Sequence, residues 1–248
     1  MKISAVLIVF NEEKNIGSAM DSVKWADECV VVDGGSSDKT VEIAKKNGAK
    51  TFSNPFRDFA SQKNFALKQA TDEWIFFLDA DERCDDVLRD EILKIKKEGA
   101  EHSGYFVKRR NFFLGKELRH GNHAGDYQMR FFKREGTEFK NCVHETVTLN
   151  GSSAKIEKGT ILHYTKSTVN EYLNRFEQYT DLEAQFLVSV GKSVTRWDCI
   201  WKPPARFFYF YVLQGGFLDG FHGFVYHLLS FFYYFVKLLK TRERQGRI

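Results

Sequence analysis

The chain has 248 residues, enough for one large domain or for one domain with an appendage. Its 43% hydrophobic and 28% charged residues are an ordinary globular balance, and a net charge of +4 is too small to indicate nucleic-acid binding. Aromatic residues make up an unusual 15%, and most of the excess lies in the last third of the chain.

The cysteines are far apart and form no C-x-x-C pair, which argues against a zinc site or a disulfide framework. We expect reduced thiols in a cytoplasmic protein at all four positions: Cys29, Cys84, Cys142 and Cys199. The N-terminal apolar run is short, lacks a small-residue cleavage site and ends in acids. It therefore predicts a first core strand and not a signal peptide.

Strand-like and helix-like segments alternate four times in the first hundred residues. The predicted strands are SAVLIVF (4–10), ECVVVD (28–33), AKTFSN (49–54) and EWIFFLDADE (73–82). Helical patterns follow them near Ile16, from about Asp38 to Gly48, from Phe59 to Ala70 and from Leu88 to Gly99. The alternation predicts an α/β fold with right-handed βαβ units and a mostly parallel sheet covered by helices on both faces.

The pattern changes from Gly104 onward. The segments GYFVKRRNFFLG, YQMRFFKR, HETVTLNG and GTILHYT are strand-like, with basic residues among aromatic ones, and predict mixed or antiparallel additions to the sheet. Helical periodicity returns near Val169. After Pro203 and Pro204 the chain is strongly apolar up to Val236 and then ends in a basic tail.

Polar side chains follow three of the predicted parallel strands: Asn11, Glu12, Asp33, Asp79 and Asp81. Ligands of such sheets bind outside the carboxyl ends of the strands. Two carboxylates spaced as Asp79 and Asp81 suit Mg²⁺ or Mn²⁺ bridging substrate phosphates. Two alternatives are solvated loop acids and caps for the helix that begins near Asp85. The chain contains no G-x-G-x-x-G and no P-loop motif.

The segments AVLIVFNEEKNI, VVVDGGSSDKT, QKNFAL and WIFFLDADE together resemble the family-2 inverting glycosyltransferases with the GT-A fold, over about residues 1–100. The resemblance implies a nucleotide-diphosphate sugar donor. It places the nucleotide against Asn11, Glu12, Asp33, Lys63 and Asp79, and the metal ion, Mg²⁺ or Mn²⁺, against Asp81, Asp79 and His163. For His163 alone, a structural role is the alternative reading.

A later stretch, RHGNHAGDYQMRFFKR followed by VHE, is similar to the lipopolysaccharide core glucosyltransferase branch, although NHAGD departs from that branch. The similarity implies Glu145 as the catalytic base, with Asp126 as the alternative. Arg130 and His144 would contact the diphosphate or the acceptor. The Lys108–Arg110 cluster would do so too, unless it is a solvated strand face.

These expectations give a GT-A domain over residues 1–165, divided into a nucleotide-sugar half (1–100) and an acceptor half (101–165). Residues 166–248 form an aromatic-rich helical extension, which lies on the membrane, is buried in the protein, or spans the bilayer. The expected reaction moves glucose from UDP-glucose to a lipopolysaccharide core or related lipid-linked glycan, at the cytoplasmic face of the inner membrane. The alternatives are transfer to polyprenyl phosphate and a non-catalytic, membrane-bound nucleotide-sugar scaffold.

Overall fold

A mixed β-sheet and a set of helices make up the structure, a computed structural model that describes residues 1–140, 146–166 and 168–247. The chain divides into two compact units. The first unit contains residues 1–109 and 127–163, and the second contains residues 110–126 and the chain from residue 164 onward. The long strands β6 and β11 therefore begin in the first unit and end in the second.

The elements of the first half alternate as the sequence predicts. They are β1 (Ile3–Val9), α1 (Ile16–Asp21), β2 (Glu28–Asp33), α2 (Thr40–Lys46), β3 (Lys50–Ser53), α3 (Phe59–Gln69), β4 (Trp74–Asp79), β5 (Glu82–Cys84) and α4 (Asp86–Glu98). The later strands are β6 (Gly104–Phe113), β7 (Lys116–Leu118), β8 (Tyr127–Lys133), β9 (Glu138–Lys140), β10 (Thr146–Thr148) and β11 (Ser153–Lys166). The last helices are α5 (Val169–Ser189), α6 (Arg196–Phe207) and α7 (Gly220–Arg244).

The strand order of the main sheet is β3-β2-β1-β4-β8-β6-β11-β5, and β7 pairs with β6. The first four strands in this order run parallel, whereas β8 is antiparallel to β4 and to β6. The short strands β9 and β10 pair separately in antiparallel fashion. The expected parallel sheet with antiparallel additions is therefore confirmed.

The strands of the parallel part are buried on both faces because their alternate residues enter two different hydrophobic cores. In β4, Phe76 and Leu78 pack in the core that α1, α2 and α4 cover, and Ile75 and Phe77 pack in the core under α3. This placement explains why WIFFL is a continuous apolar run and does not alternate with polar residues. The helices lie on both faces of the sheet, as predicted.

The second unit contains the helical extension. Its buried Glu183 on α5 accepts hydrogen bonds from the Lys237 ammonium (2.7 Å) and the Tyr233 hydroxyl (2.6 Å) on α7. Cys199 of α6 packs in a small core with Leu238 of α7. None of the helices formed by the described residues has the length and apolar character needed to span a bilayer.

Candidate functional site

Strand register brings the predicted acidic residues of three strands to one edge of the sheet in the first unit. Asp33 of β2 is opposite Val9 of β1, and Asp79 of β4 is opposite Ile8 on the other side of β1. Since neighbouring strands lie about 4.8 Å apart, the backbones of these two residues flank the end of β1 at a separation of about 10 Å. Asn11 follows β1 directly at the same edge.

The turn after β2 is held by Asp33 itself. Its carboxylate accepts hydrogen bonds from the backbone N–H groups of Gly35 (3.0 Å) and Ser36 (3.0 Å). Gly35 has a φ of 106°, a conformation that glycine adopts without strain. The neighbouring turn after β1 has Asn11 in the left-handed region (φ 53°), with its side-chain oxygen accepting the N–H of Ser37 at 2.8 Å. The two turns therefore hold each other in place.

Glu12 and Lys63 are both buried at this edge. The Glu12 carboxylate accepts a hydrogen bond from the Asn15 side chain at 2.7 Å. The Lys63 ammonium, on α3, lies 5.1 Å from the ring centre of Phe77 and 5.4 Å from that of Phe139. Aromatic faces stabilise a cation that burial would otherwise disfavour. Lys63 therefore brings a positive charge to a site that is otherwise rich in acids.

Arg130 on β8 joins two of the acids that follow β4. Its Nη2 donates to Oδ2 of Asp79 (2.8 Å) and to Oε1 of Glu82 (2.6 Å), and it is itself buried. Glu82 is fully buried and accepts two further hydrogen bonds, one from Arg109 Nη1 at 3.3 Å and one from the Asp79 backbone N–H at 3.0 Å. A buried carboxylate needs such partners, since burial without them is very costly.

The electrostatic balance of this cluster fixes the charge state of Asp79. Burial raises the pKa of the Asp79 carboxyl, but the positive charges of Arg130 and Lys63 outweigh it and hold the pKa well below its usual range. The Asp79 side chain still keeps 29% of its surface exposed. Asp79 is therefore an anion that a ligand at the sheet edge can reach.

Asp81 lies beside His163, with 3.6 Å between Oδ1 of the acid and Nε2 of the imidazole. Strand pairing explains this contact, because β5 runs antiparallel to β11 and Glu82 is opposite His163. Within the described ranges, no group of three or more acidic, histidine or cysteine side chains is arranged to hold a metal ion. The two-residue pair nevertheless has the oxygen and nitrogen donors that Mn²⁺ accepts.

The remaining acids of the segment after β4 have structural partners. Asp85 is the N-cap of α4: its carboxylate accepts the Leu88 N–H at 2.8 Å and also binds Thr160 of β11 at 2.7 Å. Asp86 is exposed and pairs with Arg89 at 2.7 Å. The alternative that these acids cap a helix is thus correct for Asp85, while Asp79 and Glu82 lie in the arginine cluster.

The structure describes some of the residues that the sequence predicted to contact the acceptor. Asp126, in the second unit, accepts a hydrogen bond from the Asn111 side chain at 3.0 Å. His144, Glu145 and Cys142 lie outside the described residues. Of the basic cluster on β6, Arg109 binds Glu82, Arg110 binds Glu117 at 2.7 Å, and Lys108 is exposed. The cysteines at 29, 84 and 199 are free thiols.

Glu82 is the residue at this edge for which the sequence predicted no role. It is the last acid of LDADE, and its contacts to Arg130 and Arg109 join residues 48 and 27 positions away. The sequence could have predicted a partner for Glu82, because an acid next to a buried apolar segment requires a cationic partner. The sequence offers several arginines downstream, however, and only the strand order selects two of them.

Comparison with known proteins identifies the family to which the chain is similar. The family model for glycosyl transferase family 2 matches residues 4–158. The lipopolysaccharide core biosynthesis glycosyltransferase LpsC of Rhizobium meliloti is 28% identical over 253 residues, covering 99% of this chain and 94% of LpsC. An uncharacterised glycosyltransferase of Rickettsia typhi is 31% identical over 258 residues, covering 98% and 87% of the two chains.

Among solved structures, TarS of S. aureus (residues 1–349, in complex with UDP-GlcNAc) has a TM-score of 0.53 at 16% identity, covering 100% of this chain and 93% of that one. This similarity shows the GT-A fold, which the sequence predicted. The matching family model, the relatives and the strand-end acids agree, and the chain belongs to glycosyl transferase family 2.

Proposed function

We propose that this glycosyltransferase is a metal-dependent inverting enzyme that moves glucose from UDP-glucose to a lipopolysaccharide core or a related lipid-linked glycan. The observation that carries the proposal is the register of β1, β2 and β4, which brings Asp33 and Asp79 to one edge beside Asn11. LpsC, similar over nearly its full length, is named for lipopolysaccharide core biosynthesis. TarS, with the same fold, was solved with a UDP-sugar.

The nucleotide would lie along the turns after β1 and β2. Carboxylates at this edge accept hydrogen bonds from the ribose and the base, and Glu12 and Asp33 are held ready for that by Asn15 and by the turn N–H groups. Lys63 supplies a buried positive charge close to Asp79. Asp79 remains ionised under ordinary conditions because of Arg130 and Lys63, so it accepts hydrogen bonds without first losing a proton.

Asp81 and His163 would hold the metal ion together with oxygens of the donor diphosphate, and in this proposal Asp79 would contact the ribose or the ion. Asp81 and His163, whose donor atoms lie 3.6 Å apart, are the two side chains that would hold the ion in common. An ion bound there would neutralise charge on the leaving diphosphate. Arg130 would add to this, because a guanidinium group donates charge-assisted hydrogen bonds to phosphate oxygens.

The base that removes the proton from the acceptor hydroxyl is, in this proposal, Glu145, with Asp126 as the alternative. An inverting transfer requires a carboxylate on the side of the sugar opposite the leaving group. Asp126 is oriented by Asn111 in the second unit, and Glu145 lies outside the described residues. The acceptor would be reached at the cytoplasmic face of the inner membrane.

The testing experiment measures thermal unfolding with UDP-glucose, UDP-GlcNAc, ADP-glucose and GDP-mannose, each with Mn²⁺ and with a chelator. At a concentration about a hundred times the Kd, the cognate donor stabilises the fold by about 2.7 kcal/mol, which moves the Tm by several degrees. We expect that shift with UDP-glucose and Mn²⁺ together, followed by transfer of labelled glucose to truncated lipopolysaccharide. A folded protein that no UDP-sugar stabilises would contradict the proposal.

A further inference from the structure

The most exposed hydrophobic side chains of the molecule are concentrated in one segment of the second unit. Among the described residues, the five large hydrophobic side chains with the greatest exposure are Phe221 (75%), Trp201 (65%), Leu213 (63%), Leu218 (60%) and Trp197 (58%). They lie within 25 consecutive residues. Single exposed hydrophobic residues are common on proteins, whereas a concentration of this kind marks an interaction surface.

Helix α6 supplies the first part of this surface. Trp197, Ile200, Trp201 and Pro204 are spaced i, i+3, i+4 and i+7, so they share one face of the helix, and all are exposed. On another face Cys199 is buried in the core that Leu238 of α7 also enters. Helix α6 therefore packs on the core with one face and directs its large aromatic side chains away from that core.

The connection from α6 to α7 supplies the second part, and its backbone is fixed by close packing. A Cβ atom on Gly216 would lie 2.3 Å from Nε2 of His227, and one on Gly223 would lie 2.2 Å from the Gly216 carbonyl oxygen. The Tyr211 ring contacts both Phe207 at the end of α6 (5.1 Å) and Phe217 in the connection (6.4 Å). Leu213 and Leu218 are therefore presented by a preformed loop, and Phe221 follows it in the first turn of α7.

The segment from Arg196 to Phe221 carries a small excess of positive charge, with three basic residues against two acids. Arg196, Lys202 and Arg206 all lie on α6, and the guanidinium of Arg206 stacks 4.7 Å from the Phe210 ring. The two acids of the segment are already engaged. Asp198 pairs with Lys202 at 2.6 Å, and Asp219 is bound by His120 at 2.8 Å. Pairing this face with the same face of a second copy would bring like charges together, whereas anionic headgroups would be attracted.

We propose that the exposed side chains of Trp197, Ile200, Trp201, Leu213, Leu218 and Phe221 act together as one exposed apolar face, which inserts into the headgroup region of an anionic bilayer. The inference rests on the proposed function in one respect, since a lipid-linked acceptor gives the enzyme a reason to remain at that surface. Tryptophan and phenylalanine side chains favour the boundary between headgroups and acyl chains, and nearby arginine and lysine residues add electrostatic attraction. The preformed loop lowers the ordering cost of insertion.

The test measures sedimentation of the full chain with vesicles of phosphatidylglycerol and phosphatidylcholine, without donor or acceptor. We expect the variants Trp201→Ser and Phe221→Ser each to bind about tenfold more weakly than the wild type. Each variant loses a large apolar side chain that the bilayer would bury. The matched control is Leu173→Ser, which alters an exposed hydrophobic residue on α5 and should bind normally. Raising the salt concentration, or using phosphatidylcholine alone, should also weaken binding.

Two results would overturn this assignment. One is vesicle binding by Trp201→Ser and Phe221→Ser at the wild-type level. The other is a wild-type dimer in sedimentation velocity that becomes a monomer in the same variants, which would assign the face to a second copy of the chain. Thermal shifts with UDP-glucose, measured on the same variants, separate this inference from the proposed function. If the variants lose vesicle binding but UDP-glucose still stabilises them, the result supports the membrane surface and leaves the proposed function untouched. If they bind vesicles normally but UDP-glucose does not stabilise the protein, it is the proposed function that fails.

Discussion

Two regions of the molecule differ from the usual rule that charged residues are exposed and apolar residues are buried. One is the cluster of Asp79, Glu82 and Arg130 in the first unit, and the other is the exposed apolar face of the second. In the first, Glu82 and Arg130 are charged and buried, and they form an ion pair with each other. In the second, Trp201 and Phe221 are apolar and exposed. In the two proposals made above, the first would serve to bind an anion with its metal ion and the second to bind a lipid surface.

The largest effect expected from this comparison is on turnover, at Asp81. Replacing Asp81 with Asn should lower transfer about a thousandfold or more, because a metal ligand that supports the leaving diphosphate contributes several kcal/mol to the transition state. The measurement is the initial rate of labelled glucose transfer at saturating Mn²⁺. The matched control is Asp86→Asn, since Asp86 belongs to the same acidic segment but is 85% exposed and pairs only locally with Arg89. Equal losses in the two variants would remove the metal assignment.

The second effect separates the two candidates for the base. Glu145→Gln should lower kcat by a hundredfold to ten-thousandfold while the thermal shift with UDP-glucose is retained, because the base acts on the acceptor and not on the donor. The companion variant is Asp126→Asn, which keeps an acceptor for the Asn111 side chain. If Asp126→Asn loses turnover and Glu145→Gln does not, the role belongs to Asp126.

The smallest of these effects is on stability, at Glu82. Glu82→Gln should lower the free energy of unfolding by about 3 kcal/mol, because it leaves the buried Arg130 and the half-buried Arg109 with less compensating charge. Urea unfolding in a chelator keeps metal binding out of the measurement. The control is Glu138→Gln, whose exposed pair with Lys140 spans 3.7 Å and should contribute little. Equal stability of the two variants would show that the arginine cluster does not depend on Glu82.

The sequence was most informative where one strand or helix determines its own structure. The runs SAVLIVF and EWIFFLDADE are apolar on both strand faces, so they predicted β1 and β4 without knowledge of their partners. Strands β5 and β7 have three residues each and were not predicted, since they exist through pairing with β11 and β6. The strand predicted as GTILHYT begins earlier, at Ser153, in a stretch with exposed charged residues.

The same reason limits what could be predicted of the site. The carboxyl ends of parallel strands meet at one edge, so Asp33 and Asp79 could be placed together from the sequence alone. The contact between Asp81 and His163, however, depends on the pairing of β5 with β11, and the position of Arg130 depends on the pairing of β8 with β4. The division of the chain at residue 165 and the roles of the individual site residues stay predictions.

The position of β8 beside β4 has a consequence for how the chain is made. On one side, β4 pairs with β1, which the ribosome has already released; on the other, Phe76 pairs with Phe131, which is synthesised about 55 residues later. At 5–20 residues per second, that edge of β4 waits for about 3 to 11 s with its N–H and C=O groups unpaired. We expect a chain that is stalled after β4 has left the ribosome, and before β8 is made, to expose this unpaired strand edge.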